Sequence, residues 1–152
     1  MSEKQSLKRM PVASLMSKPV KTIESTRSLE DSMKAMRKDD VGCILVTEGG
    51  AHVGILTERD VLRRVADDPG SLRQAMRDVM SKPLKSVTSA TTVWEAMDVM
   101  ESNRIRHLAV VDDGALVGVL TQRDILRMFF VNKDMLINAV GREETRRFML
   151  GE

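Results

Sequence analysis

The chain has 152 residues, 24 basic against 22 acidic side chains, a net charge of +2 and 42% hydrophobic content. That length supports one good core or two small ones sharing the chain. The near balance of charge argues against nucleic acid as a partner, one cysteine excludes an internal disulfide framework, and no stretch approaches the roughly twenty apolar residues of a membrane span.

Residues 1–9 read as a polar arm without the apolar centre of a signal peptide, so a cytoplasmic protein is expected. Pro11 to Met16 reads as a short helix ended by Lys18-Pro19, followed by a short extended piece from Val20 to Ile23. Ser25 to Ser28 offers capping side chains, and Leu29, Met33, Ala35 and Met36 recur at helical spacing. The apolar run Cys43 to Val46 predicts a buried strand, Glu48-Gly49-Gly50 a turn, and His52 to Leu56 a second strand. Thr57 opens a helix through about Ala66. Asp67 to Gly70 carries strong turn chemistry, and a helix is expected from about Ser71 to Met80. Val93, Ala96, Met97 and Met100 then repeat the helical spacing. Leu108 to Val111 and Leu116 to Leu120 are strands joined through Asp112-Asp113-Gly114. From Asn132 to Leu150 a mixed-charge tail follows, read as a helix broken at Gly141 that packs on the domain or on a second subunit. The 12 methionines, beside 3% aromatics and no tyrosine, are expected to fill the core where aromatics would otherwise sit.

The pattern is written twice. Gly54 to Arg63 (GILTERDVLR) returns as Gly118 to Arg127 (GVLTQRDILR), 64 positions on, and Met16-Ser17-Lys18-Pro19 returns as Met80-Ser81-Lys82-Pro83. Each copy is one supersecondary unit. Two copies cannot build an open solenoid, so a closed pseudo-two-fold pair is expected, with a cleft between its halves. The expected division is a first repeat over 10–66, a linker over 67–73, a second repeat over 74–130 and a tail over 131–152.

Thr57 and Asp60, and again Thr121 and Asp124, stand three apart where a helix begins. This resembles a capping box, in which the two side chains satisfy free backbone donors. A functional reading is compatible with it. Helix N-termini attract phosphate, and a carboxylate on the first turn can accept ribose hydroxyls. Gly54 allows close backbone approach at the same place. Cys43 lies in an apolar strand and reads as an inert packed thiol. With only His52 and His107 in the chain, no Ser–His–Asp order, metal cluster or Walker-type loop is present, and no catalysis or catalytic cofactor is expected. Arg59, Arg63, Arg123 and Arg127 lie on the closing helices, as solvated residues or as further charge near phosphates.

These repeats, ending in Gly-x-x-Thr-x-x-Asp, resemble tandem cystathionine β-synthase (CBS) domains, a Bateman module. The run Asn103 to Asp112 (NRIRHLAVVD) and the opening Val79 to Pro83 (VMSKP) strengthen the likeness, which covers about Val12 to Phe130. Ala109 departs from the proline many relatives carry. The resemblance implies an α/β (α+β) fold of two pseudo-two-fold-related β-α-β-β-α repeats packed through their sheets. It implies a non-catalytic regulatory module for adenosine-containing ligands, namely AMP, ADP, ATP or S-adenosylmethionine. One cleft would use Thr57 and Asp60 with Ser86, Val87, Ile105, Arg106 and His107. The other would use Thr121 and Asp124 with Thr22, Ile23, Val41, Gly42 and Cys43. The aspartates would hold ribose, the threonines phosphate, and backbone near Ile23 and Val87 the adenine edge. Arg104, Arg59 and Arg123 would add phosphate contacts. Arg104, Arg106 and His107 stand where the first copy has Asp40, Gly42 and Cys43. The first cleft is therefore expected to prefer the more phosphorylated nucleotide. A homodimer through the Met33, Met36, Met97 and Met100 helix faces is implied, as is an effector protein in trans, with adenine nucleotide reporting energy state. A S-adenosylmethionine module, a ligand-free interaction module and a nucleic-acid-binding module stand as alternatives.

Overall fold

The computed structural model describes residues 9–131; the expected tail from Asn132 and the arm before Arg9 lie outside the described residues. The first repeat runs β1 (Thr22–Glu24), α1 (Leu29–Asp39), β2 (Cys43–Glu48), β3 (Ala51–Thr57) and α2 (Glu58–Asp67). A short α3 (Met76–Val79) leads to the second: β4 (Ser86–Val87), α4 (Val93–Asn103), β5 (His107–Asp112), β6 (Ala115–Thr121) and α5 (Gln122–Val131). Among the described residues these make two three-stranded sheets, ordered β1-β2-β3 and β4-β5-β6. In each, the first pair is parallel and the second antiparallel.

The repetition extends to local irregularities. Both long hairpins shift register at the same point, between Val46 and Thr47 and between Val110 and Val111. Both turn through two residues of positive φ, Gly49-Gly50 and Asp113-Gly114. That is the left-handed pair a tight hairpin requires, and Gly and Asp tolerate it. The helices start on side-chain caps: Ser28 accepts from the Asp31 N–H, and Thr92 forms a capping box with Glu95. Both α1 and α4 end on a left-handed residue, Asp40 (φ 51) and Arg104 (φ 53).

The expected helix over Ser71–Met80 is instead a 3-10 turn (Pro69–Arg73), an extended Gln74-Ala75 and the short α3. Backbone pairing overrides the helical pattern there. Leu29 N–H donates to Gln74 O, Met76 N–H to Arg27 O and Arg77 N–H to Ser25 O, so the segment is held open against the start of α1. The expected helix over Pro11–Met16 is reduced to a 3-10 turn, Val12–Ser14.

Repeat and compact unit differ in extent. One unit spans Pro19–Lys85; the other joins residues up to Lys18 with those from Ser86 onward. Each core takes in the lead-in written before the other copy. Val12 packs with Val93, Leu108, Val110, Leu120 and Ile125, while Met76, Val79 and Met80 pack with Leu29, Ile44, Val46 and Leu56. Burial of each such side chain contributes on the order of 1.5–3 kcal/mol. Met36, Met76, Met80, Met100 and Met128 are buried, the core-filling use the composition predicts.

Candidate functional site

The closing Thr–Asp motif of each unit is a full capping box. At α2, Asp60 Oδ2 accepts from Thr57 N–H (3.0 Å) and from the Thr57 hydroxyl (2.9 Å), while Asp60 N–H donates to Thr57 Oγ1 (3.3 Å). At α5 the same bonds join Asp124 Oδ2 and Thr121 at 2.8, 2.8 and 3.1 Å. The next N–H is taken too: Glu58 N–H donates to Gly42 O (3.1 Å) and Gln122 N–H to Arg106 O (2.9 Å). The helix starts therefore offer fewer bare donors than the sequence suggests. The Thr hydroxyl reaches another acceptor only by giving up its bond to Asp.

The box leaves Oδ1 of each aspartate outside its bonds. At Asp124 the Ser17 hydroxyl approaches Oδ1 at 3.4 Å, a weak contact from the lead-in that sequence reasoning missed. Its signal is the repeated Met-Ser-Lys-Pro, which puts a serine beside each glycine-bearing strand. Ser17 and Val119 exchange backbone bonds at 2.8 and 3.1 Å, and Ser81 and Ile55 do so at 2.9 and 3.1 Å. The same pairing explains Gly54 and Gly118. A Cβ on Gly54 would stand 2.6 Å from Met80 Sδ and 2.9 Å from Ser81 O; one on Gly118 would stand 2.6 Å from Met16 Sδ. The close approach that these glycines permit is filled by the lead-in segment.

Each unit gathers one Thr–Asp pair together with the opening residues assigned to the other cleft. In the first, Cys43 lies directly across from Thr57, Val41 and Gly42 precede it, and Thr22 and Ile23 pair with Leu45 and Val46. In the second, His107 lies across from Thr121 after Ile105 and Arg106, and Ser86 and Val87 pair with Ala109 and Val110. Cys43 is half-buried rather than fully packed, as is His107. His52 sits half-buried on β3 across from Thr47. Arg59, Arg104, Arg106 and Arg123 are exposed.

The rims carry different charge on the same backbone. Where α1 meets α2 stand Asp40, Gly42 and Glu58; where α4 meets α5 stand Arg104, Arg106 and Gln122. Glu58 folds back over Gly42, its Oε2 3.5 Å from where a Cβ would be. A cavity of about 380 Å³ opens between α1 and α2, lined by Met33, Met36, Val61 and Leu62, with Arg37, Asp40 and Glu58 among its polar walls. Among the described residues no cluster of three metal-ligating side chains forms, and no helix is long and apolar enough to cross a membrane.

Residues 12–67 and 76–130 match the CBS domain family. Among relatives, the mitochondrial CBS domain-containing protein CBSX3 of Arabidopsis thaliana is 36% identical over 103 residues, covering 64% of this chain and 50% of that protein. Protein MJ0450 of Methanocaldococcus jannaschii is 30% identical over 125 residues, 78% of this chain and 66% of the other. The chain thus spans between half and two thirds of their length. Among solved structures, a CBS-domain-containing protein of Agrobacterium tumefaciens superposes with a TM-score of 0.73 at 27% identity, covering 78% of this chain and 92% of that one. The CBS domain pair of protein MJ0100, in complex with 5'-methylthioadenosine and S-adenosyl-L-methionine, gives a TM-score of 0.73 at 25% identity over 81% of this chain and 98% of that one.

Proposed function

The chain belongs to the CBS domain family as a tandem pair, and from that premise we propose that it is a regulatory module for adenosine-containing ligands, acting as a homodimer without chemistry of its own. The observation that carries the reading is the paired capping box. Twice, at equivalent points, a helix start holds a half-buried aspartate by one oxygen and leaves the other out of the cap, approached at Asp124 by the Ser17 hydroxyl at 3.4 Å. A carboxylate fixed in this way is preorganised to accept a hydroxyl from a ribose. Thr57 and Thr121 act first as positioning groups for Asp60 and Asp124. They contact phosphate only by exchanging that bond.

In this proposal the cleft using Thr57 and Asp60 with Ser86, Val87, Ile105, Arg106 and His107 takes a phosphorylated adenosine, AMP, ADP or ATP. Arg104 and Arg106 supply its positive rim beside neutral Gln122, with Arg59 and Arg123 at the helix starts. The cleft using Thr121 and Asp124 with Thr22, Ile23, Val41, Gly42 and Cys43 meets Asp40 and Glu58 instead. Two carboxylates there disfavour phosphate, and a sulfonium or an uncharged 5' group suits that rim. This observation supports S-adenosylmethionine as the second reading, as does the pair of ligands held by MJ0100. Ligand would act by differential affinity for two arrangements of repeats or subunits, relayed to a separate effector protein.

Isothermal titration calorimetry with AMP, ATP and S-adenosylmethionine, on the protein and on Asp60→Ala and Asp124→Ala, tests this. Saturable binding lost site by site in the two variants is the expected result. No heat with any of the three, from protein with an intact thermal melt, overturns the ligand reading in favour of an interaction module.

A further inference from the structure

We propose that the arm ahead of Met10 docks on the start of α4, with Leu7 in the seat that Ser71 takes on α1 and with Lys4 and Lys8 facing the acids of α4. All the residues involved belong to one compact unit, which joins those up to Lys18 with those from Ser86 onward. The backbone beside the seat is already duplicated. Val93 N–H donates to Met10 O (2.8 Å) as Leu29 N–H does to Gln74 O (2.9 Å). Val12 N–H donates to Thr91 O as Met76 N–H does to Arg27 O, both at 2.8 Å, and Pro11 bridges Thr92 as Ala75 bridges Ser28. Each of these pairs is related by the 64-position offset. In the first repeat, the residues just before Gln74 form the 3-10 turn Pro69–Arg73, which packs on α1 and α2. The same offset makes Gln5, Ser6, Leu7, Lys8 and Arg9 their counterparts. Ser71 is 3% exposed, and its hydroxyl has no hydrogen bond among the described residues. A seat that offers a hydroxyl no partner favours an apolar side chain, and the arm brings leucine to it.

Charge and exposure distinguish α4 from α1. Helix α1 balances its acids: Glu30 pairs with Lys34, Asp31 with Arg27 and Asp39 with Lys21. Helix α4 carries Glu95, Asp98 and Glu101 and neither lysine nor arginine. Glu95 is held in the capping box with Thr92, whereas Asp98 and Glu101 have no ion pair among the described residues. Trp94, Asp98 and Glu101 are spaced to share one helix face, and all three are exposed. Trp94 is 41% exposed, a large apolar side chain just past the Pro11–Thr92 bridge, on the path of the arm. The arm has the complementary composition, with Lys4, Lys8 and Arg9 against a single acid, Glu3. From Met10 back to Lys4 an extended chain reaches about 20 Å, more than the roughly 16 Å length of α4. Leucine in the seat fixes the arm, and the lysines set its direction along the helix.

Trp94 is the only tryptophan in the sequence, so its fluorescence in the full chain reads the arm directly. Emission maximum and acrylamide quenching are compared between wild type and four variants. Leu7→Asp is expected to shift emission to the red and to raise quenching. Lys4→Glu with Lys8→Glu, and separately Asp98→Lys with Glu101→Arg, are expected to do the same to a smaller degree and at low salt only, because exposed ion pairs are weak and screened. The helix accepts those cations, since α1 carries Lys34 and Arg37 at the equivalent places. Both reversals in one chain are expected to return quenching toward the wild-type value. Wild-type Trp94 that is quenched as freely as in Leu7→Asp overturns the proposal, as does a combined variant that stays at the level of the single reversals. Shielding of Trp94 that follows protein concentration and ignores the arm variants gives this face to a second copy and overturns it too.

Discussion

The two Thr–Asp ends of the molecule share a backbone and differ in charge. Cap bonds agree within 0.2 Å, register shifts fall at the same step, and left-handed residues close α1 and α4 at equivalent positions. Around that constant frame, Asp40, Gly42, Cys43 and Glu58 correspond to Arg104, Arg106, His107 and Gln122. A duplicated frame keeps what geometry needs, the cap and the glycine, and is free to change the rim. In the proposed function, selectivity would live in the rim and preorganisation in the cap.

The largest effect expected from breaking the comparison is on ligand choice. Arg106→Gly combined with Gln122→Glu converts two of the three rim positions of the second repeat to those of the first, leaving Arg104 in place. Titration calorimetry should then show ATP affinity falling by at least about ten-fold, roughly 1.4 kcal/mol, while an uncharged adenosine is affected far less. Equal losses for both ligands would put Arg106 in packing rather than phosphate recognition.

Next comes the glycine pair. Gly54→Ala drives a methyl against Met80 and the Ser81 carbonyl, and backbone cannot move aside; the three nearest atoms to a methyl in Gly118→Ala all belong to the Met16 side chain. Overpacking costs typically about 1–3 kcal/mol, and Gly54→Ala should lie near the top of that range and Gly118→Ala near the bottom. Urea unfolding measures both. The reverse order would mean that the Ser81 segment yields more easily than a methionine.

Smaller still are the caps. Thr57→Ala and Thr121→Ala should each cost about 1 kcal/mol, read by the same unfolding curves. Because Asp60 and Asp124 then keep only the backbone N–H bond of the two that orient them, ligand binding should weaken as well. Stability lost without any change in binding would reduce the motif to a cap.

The smallest effect is on acid stability. The Arg27 guanidinium, with the Ser28 cap, holds the Asp31 carboxyl below its usual range; the Thr92 N–H and hydroxyl do so for Glu95, and Ser89 for Asp112. A depressed folded pKa stabilises above the ordinary carboxylate pKa, and that contribution is lost as pH falls through the depressed value. All three therefore favour unfolding in acid. Salt should separate them, since the Asp31 shift depends first on an exposed ion pair and the Glu95 shift on a backbone hydrogen bond. Carboxyl NMR titration at low and high salt should move Asp31 upward and leave Glu95 nearly unchanged.

Much of this was legible in the chain. The 64-position offset announces the repeat, Ser28 and Thr57 announce helix starts, and Cys43 to Val46 announces a central strand, because caps and strand burial are set by residues within a few positions of each other. Gly54 was visible as a point of close approach, but what approaches it was not. The sequence by itself determined the elements, the duplicated caps and the charge that distinguishes the rims. Tertiary structure alone decided that Met80 and Met16 fill the glycine clefts, that Gln74 and Ala75 are pulled out of a helix, and that Leu62 and Phe130 remain uncovered. The physical reason is range. Each of those outcomes depends on a lead-in segment or a facing helix distant in sequence, and packing against such a neighbour outweighs the few tenths of a kcal/mol per residue that local propensity supplies.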